Sequence, residues 1–90
     1  MKKRLIIRVY GTVQGVFFRH SASVKAAELG LLGFVRNESD GSLYVEAEGE
    51  VTAMEKFLEW CRIGPPLAKV DRIESSFHEA DGTFEGFTIR

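Results

Sequence analysis

Residues 43–66 switch from an alternating hydrophobic pattern to a helical one, and this switch constrains the fold more than any other feature of the sequence. From Leu43 to Glu48, apolar and polar side chains alternate, as in a strand with one buried face. Apolar residues then recur at helical spacing, at Val51, Met54, Phe57, Leu58 and Cys61. Gly64-Pro65-Pro66 ends the helix, because proline cannot continue it. The segment therefore predicts a strand joined directly to an amphipathic helix.

The N-terminal segment carries signals for a further strand and helix. Leu5 to Tyr10 alternates, with Leu5, Ile7 and Val9 on one face, and predicts the first strand. Ser21 to Leu29 predicts a short helix, and Gly30 predicts a left-handed cap at its end. The apolar face expected for this helix consists of Val24, Ala27 and Leu31.

The remaining segments complete the predicted order of elements. Leu32 to Asn37 predicts the second strand, and Asp40-Gly41 predicts a hairpin turn into the strand that begins at Leu43. Ala68 to Phe77 predicts a strand with a bulge around Asp71-Arg72, and Phe84 to Arg90 allows a short fifth strand at the C-terminus.

The resulting order, βαββαβ, predicts an α+β fold over residues 1–90 as a single domain. This order is typical of the ferredoxin-like sandwich, in which one antiparallel sheet carries two helices packed on one face. A crossover helix makes the first two strands parallel, with the third strand between them. Their C-terminal ends then lie at one end of the sheet, about 9.6 Å apart. We therefore expect the loop leading to Arg19 to face Asn37 across a gap that a small ligand can fill.

Charge and composition exclude several classes of protein. The 90 residues include 12 basic and 13 acidic side chains, a balance that argues against a dedicated nucleic-acid partner. No apolar run approaches the roughly 20 residues that span a bilayer, so we expect no membrane association. A single cysteine, Cys61, excludes an internal disulfide, agrees with a cytoplasmic location and is expected to be an inert core thiol.

The loop from Gly11 to Arg19 is the strongest candidate for chemistry. Two glycines before a helix N-terminus can turn successive backbone N–H groups inward as an anion nest, and Gly15 lets the backbone approach a ligand closely. Arg19 adds a planar cation suited to two oxygens of one phosphate. The alternative is a plain strand-to-helix turn with Arg19 in solvent. The loop lacks the lysine of a P-loop and the glycine spacing of a dinucleotide fingerprint.

Two segments of the chain carry a resemblance to a known family. Gly11-Thr12-Val13-Gln14-Gly15-Val16-Phe17-Phe18-Arg19 resembles the first acylphosphatase motif, GxVQGVxFR. Gly33-Phe34-Val35-Arg36-Asn37, followed by Asp40-Gly41 and Gly49, resembles the second motif, and the closing Phe87-Thr88-Ile89-Arg90 also fits. The resemblance covers essentially the whole chain, and the first motif is long and free of gaps.

The resemblance implies a hydrolase that cleaves the carboxyl–phosphate bond of acyl phosphates without a metal or other cofactor. Arg19 would bind the phosphoryl group, and Asn37 would hold the attacking water. The supporting backbone amides would be those of Gly15, Val16, Phe17, Phe18 and Arg19. The implied substrate is a small-molecule acyl phosphate. We also expect inorganic phosphate to act as a product inhibitor, and we expect a monomer. Glu38 is a carboxylate beside this anionic site, and its effect is open.

Two other classes of function stay open at this stage. An RNA-recognition module shares the βαββαβ order, but strand three would place Tyr44, Glu46 and Glu48 on the open face of the sheet, and two carboxylates repel RNA. A regulatory domain of the same fold would bind phosphate or an acid without turnover. His20 is a weak candidate for a general base, because no neighbour in sequence orients it.

Overall fold

The computed structural model describes residues 1–90 and contains the predicted elements in the predicted order. They are β1 (Lys2–Thr12), α1 (Phe18–Glu28), β2 (Leu32–Asn37), β3 (Leu43–Glu50), α2 (Val51–Ile63), β4 (Lys69–Glu79) and β5 (Phe87–Ile89). The α+β ferredoxin-like prediction is therefore confirmed, including a short fifth strand. Neither helix has the length and apolar character needed to cross a membrane.

The five strands form one sheet in the order β4-β1-β3-β2-β5. β1 and β2 both pair antiparallel with β3, so they run parallel to each other with β3 between them, as predicted. The expectation of a purely antiparallel sheet is wrong at one edge, because β5 pairs parallel with β2. The chain leaves β4 at the opposite edge and reverses once in residues 80–86. β5 therefore runs antiparallel to β4 and in the same direction as β2.

The hydrophobic core lies between the sheet and the two helices. The helix-facing side chains of β1 and β3 are fully buried, and these are Leu5, Ile7, Val9, Leu43, Val45 and Ala47. α2 contributes Met54, Phe57 and Cys61, which are also fully buried. The period-two and helical patterns of residues 43–61 were therefore interpreted correctly, because each has one face that must leave water.

The buried face of α1 differs from the prediction. The helix begins at Phe18 instead of Ser21, and its buried residues are Phe18, Ala22 and Ala26. Val24 and Ala27, which were expected in the core, are exposed. Small alanine side chains allow the helix axis to approach the sheet closely, and Phe18 sets which face turns inward. Periodicity alone missed this because alanine and valine are both apolar.

A β-bulge in β4 interrupts its pairing with β1, as predicted. Tyr10 pairs with Arg72 and Gly11 with Val70, so Asp71 is the extra residue. Gly11 has a φ of 133°, and a Cβ there would lie 2.2 Å from the Lys69 carbonyl oxygen. Only glycine fits this close approach of two backbones. The bulge increases the local twist of the sheet near the end of β1, where the loop between β1 and α1 begins.

Residues 80–86 pack on the open face of the sheet near Phe34 and Glu48. The ring of Phe84 packs against Phe34, with centroids 5.9 Å apart. Beside them, Glu48 is only 5% exposed and accepts hydrogen bonds from Arg4 and from the backbone amides of Asp81 and Gly82. Glu48 points to the open face as expected, but it is not displayed to solvent. The part of the open face where an RNA-recognition module would bind bases is therefore covered here by the chain itself.

Candidate active site

The loop between β1 and α1 has an alternating backbone conformation. Gly15 has a φ of 75°, and Phe17 has a φ of 64°, whereas no residue between or directly after them has a positive φ. Phe17 is the only non-glycine residue of the chain in the left-handed region. Successive residues of opposite hand turn their N–H groups toward one side, which is the geometry of an anion nest. The plain strand-to-helix turn is therefore the weaker interpretation of this loop.

The amides of residues 15–20 donate no hydrogen bond to any acceptor in the chain. The first bond of α1 runs from the Ser21 amide to the Phe17 carbonyl, at 3.0 Å. None of the preceding six N–H groups takes part in the other loop and turn bonds or in a bond to a side chain. Six consecutive free donors at a helix N-terminus, where the helix dipole is positive, favour a bound anion.

Arg19 lies half-buried on the first turn of α1, and its guanidinium has no carboxylate partner. The ion pairs of the chain all involve other residues. Arg19 lines a pocket of about 330 Å³ together with Val13, Gly15, Phe17, Phe18, His20 and Ile89. The pocket therefore collects Arg19 and three of the other loop residues named from the sequence. Val16 is buried in the core, so only its amide can contribute.

Asn37 ends β2, at the same end of the sheet as the loop. Its side-chain oxygen Oδ1 is buried and accepts no hydrogen bond from the chain. Asn37 does not line the 330 Å³ pocket itself. The connection runs through Ile89, which lines the pocket and pairs with Val35, two residues before Asn37. An unpaired buried acceptor costs stability, so its presence at this end of the sheet calls for a functional explanation.

Gln14 joins the loop to the β2–β3 turn, and the sequence did not single it out as a functional side chain. Its Nε2 group donates to the carbonyl oxygens of Glu38, at 2.8 Å, and Ser42, at 3.0 Å. These two bonds fix the loop against the turn that follows Asn37. The partners are backbone groups 24 and 28 residues away, so no pattern of residue types near Gln14 could have indicated them.

Glu38 directs its carboxylate away from the pocket. Arg8 and Arg36 each lie 3.3 Å from it on the open face of the sheet. Both guanidinium groups also stack on the ring of Tyr44, at 4.7 and 4.6 Å from its centroid. Burial and the neighbouring Glu46 raise the pKa of Tyr44. The charge of Glu38 is therefore compensated by two cations before it can oppose an anionic ligand.

The other reactive side chains stand apart from this site. Cys61 is fully buried in the core, and burial raises the pKa of its thiol, as expected for an inert cysteine. No three His, Cys, Asp or Glu side chains lie together in a way that could hold a metal ion. His20 is exposed and lines the pocket, but it receives no orienting hydrogen bond from a side chain.

Comparisons with known proteins extend over nearly the whole chain. A sequence profile of the acylphosphatase family matches residues 5–89. An acylphosphatase of Methylococcus capsulatus is 45% identical over 97% of this chain and 95% of its own length. One from Mannheimia succiniciproducens is 43% identical over 99% of this chain and 97% of its own length. The crystal structure of an acylphosphatase from Bacillus subtilis superimposes with a TM-score of 0.94 at 33% identity, covering 100% of this chain and 99% of that one.

A sandwich of this size with such relatives is a small hydrolytic enzyme. The likeness holds in sequence and in fold, and it spans the loop, β2 and the C-terminal strand together. The chain belongs to the acylphosphatase family, whose activity is the hydrolysis of acyl phosphates.

Proposed function

We propose that the loop amides of Gly15, Val16, Phe17, Phe18 and Arg19, together with the Arg19 guanidinium, bind the phosphoryl group of the acyl phosphate. The single observation that carries this proposal is the run of consecutive amides without acceptors beside an arginine without a carboxylate. Donors fixed in place before the reaction stabilise charge on the equatorial phosphoryl oxygens at no cost of reorganisation. A guanidinium adds a fork that fits two of those oxygens.

The same proposal assigns Asn37 to the attacking water. Water can donate one hydrogen to the buried Oδ1 of Asn37, which has no other donor, and this contact orients a lone pair toward phosphorus. The new bond forms between the water oxygen and phosphorus while the bond from phosphorus to the acyl oxygen breaks. The electron pair of that bond leaves on the carboxylate. The water proton passes to the product phosphate or to solvent, since an amide cannot accept it near neutral pH.

The leaving group explains why this small donor set is sufficient. A carboxylate leaves as an anion with a pKa of about 4, so no general acid is needed. Amides and a guanidinium donate hydrogen bonds and repel cations, which supports a reaction without a metal. Benzoyl phosphate should therefore be hydrolysed at the same rate with and without EDTA. Loss of activity in EDTA and recovery with added Mg²⁺ would contradict the metal-free proposal.

The division of labour between Arg19 and Asn37 can be tested by their kinetic effects. Arg19→Ala should weaken inhibition by inorganic phosphate and also lower kcat, because Arg19 contacts the phosphoryl group throughout the reaction. Asn37→Ala should lower kcat by on the order of 100-fold and leave phosphate inhibition nearly intact. Arg19→Lys keeps the charge without the fork, and a near-complete loss of activity is expected.

A matched control separates these effects from a general loss of positive charge. Arg62 is an exposed arginine whose only ion-pair partner, Glu59, lies on the same helix. Arg62→Ala should therefore retain both kcat and phosphate inhibition. Circular dichroism establishes that each variant is folded. A folded Asn37→Ala variant with normal kcat, or one that loses phosphate inhibition as fully as Arg19→Ala does, would overturn the assignment.

Three further properties stay predictions. Inorganic phosphate should act as a competitive product inhibitor and should raise the melting temperature, because a ligand selective for the folded state stabilises that state. A monomer and a cytoplasmic location are also expected. Sedimentation analysis tests the monomer, and fractionation of the source cells tests the location.

A further inference from the structure

Phe17 has a position that folding alone does not explain. Its backbone is in the left-handed region, at φ 64° and ψ 21°, where a Cβ atom is disfavoured. Its side chain is 72% exposed, so burial of the ring offsets little of that cost. The same residue lines the pocket that contains Arg19. A strained backbone that holds an exposed aromatic ring over a ligand pocket is a reason to look for a contact with the ligand.

The pocket has chemically distinct parts. The loop amides and Arg19 supply hydrogen-bond donors, whereas the side chains of Val13, Phe17 and Ile89 are apolar. Ile89 is 45% exposed and is held in place by the parallel pairing of β5 with β2. His20 is the only ionisable side chain of the lining besides Arg19. A carboxylate on the acyl group of a substrate would find no arginine or lysine in the pocket other than Arg19, which is assigned to the phosphoryl group.

We propose that Phe17 and Ile89 contact the acyl group of the substrate and make this enzyme prefer acyl phosphates whose acyl group is apolar and larger than acetyl. The inference rests on the proposed binding of the phosphoryl group by Arg19 and the loop amides. The pocket, at about 330 Å³, lies at the small end of the range typical of small-molecule sites, which suits a phosphoryl group together with an acyl group of aromatic size. An apolar wall favours such an acyl group because both surfaces leave water on contact.

The test compares kcat/KM for benzoyl phosphate with kcat/KM for acetyl phosphate. Phe17→Ala should lower the ratio of these two values by roughly two- to tenfold, the effect of losing one aromatic contact. Phe17→Leu retains an apolar side chain and should lower the ratio less. Ile89→Ala should also lower it, since the two side chains line the same pocket. Because the Phe17 ring is mostly exposed, its truncation removes little packing, and circular dichroism establishes the fold.

Ile63→Ala is the matched control for removal of an exposed apolar side chain. Ile63 is 76% exposed and lies outside the pocket, so this variant should keep the wild-type ratio. An unchanged ratio in folded Phe17→Ala, or an equal fall with Ile63→Ala, would overturn the inference. So would an equal loss on both substrates, because Phe17 would then shape the loop instead of contacting the acyl group. Failure of the proposed function is a different result, namely normal turnover of both substrates by Arg19→Ala.

Discussion

Replacement of Phe17 by glycine should separate the strain of the loop backbone from the loss of the aromatic ring. A left-handed conformation costs a residue with a Cβ atom roughly 1–2 kcal/mol, and glycine avoids this cost. Glycine also loses about 0.5–1 kcal/mol more in conformational freedom on folding than alanine does. Because Phe17→Gly and Phe17→Ala lose the same ring, their comparison isolates the backbone. We expect Phe17→Gly to have a free energy of unfolding about 0.75 kcal/mol higher than Phe17→Ala, which is the difference between the midpoints of the two costs.

Urea and thermal unfolding without phosphate measure this difference. For a domain of this size, 1 kcal/mol corresponds to a shift in Tm of about 4–8 °C, so the two variants should differ by roughly 3–6 °C. The same pair of substitutions at Lys56, an exposed residue inside α2, is the matched control. There alanine should be more stable than glycine by about 1 kcal/mol. The order of stability should therefore reverse between the two positions.

The reasoning is refuted if Phe17→Gly is no more stable than Phe17→Ala while the Lys56 pair behaves as expected. A second consequence follows for the ligand. Glycine at position 17 allows the loop many conformations, so the amides are no longer held in one arrangement, and inhibition by inorganic phosphate should weaken. Greater stability combined with weaker phosphate binding would show that the conformation of Phe17 is retained for the site and not for folding.

Two further predictions concern the rest of the molecule. Hydrogen bonds and cations lower the pKa of several carboxyl groups in the folded state, so their contribution to stability is present above pH 4–5 and is lost as pH falls through the lowered values. These groups are Asp40 with Ser42, Glu50 with the N-terminal ammonium group, Glu79 with Lys3, and Asp81 with Thr83. The free energy of unfolding from urea titrations should fall below about pH 4.5, and a constant value down to pH 3 would contradict this. Cys61 should react with a thiol reagent at pH 8 only after unfolding, because its buried thiol has a raised pKa; rapid labelling of the native protein would argue against it.

The sequence indicated those parts of the fold in which one face of an element is strongly apolar. β1, β3 and α2 have side chains such as Leu5, Val45 and Phe57, whose burial decides the orientation of each element. α1 was misjudged because Ala22 and Ala26 provide little hydrophobic contrast with Val24. The parallel direction of β5 was also missed, because it depends on how residues 80–86 cross the open face. These features are set by tertiary packing, which the local pattern does not contain.

The candidate site was predictable to the same limited extent. The residue types before Arg19 pointed to an anion, because glycines, a helix start and an arginine lie close together in sequence. The predicted fold placed Asn37 opposite this loop, and only the family resemblance gave it a role. The left-handed backbone of Phe17 could not be predicted, since non-glycine residues rarely adopt it. The contribution of Ile89 to the pocket lining could not be predicted either, because it depends on the pairing of β5 with β2. The apolar part of the pocket lining could therefore be identified only from the structure.

The two ends of the sheet differ in whether a buried polar side chain has hydrogen-bond partners within the chain. At the end where β2 begins, the buried carboxylate of Glu48 receives hydrogen bonds from Arg4 and from two backbone amides. At the end where β2 finishes, Asn37 Oδ1 is buried without a donor, and six loop amides have no acceptor. Among the buried side-chain nitrogen and oxygen atoms of the chain, Asn37 Oδ1 is the one that has no hydrogen-bond partner. A buried acceptor without a donor lowers stability unless a water or ligand completes it, and the six free amides at the same end of the sheet offer donors to an anion. An anion that takes the amides, together with a water that donates to Asn37, is the combination that hydrolysis of a phosphoryl compound requires.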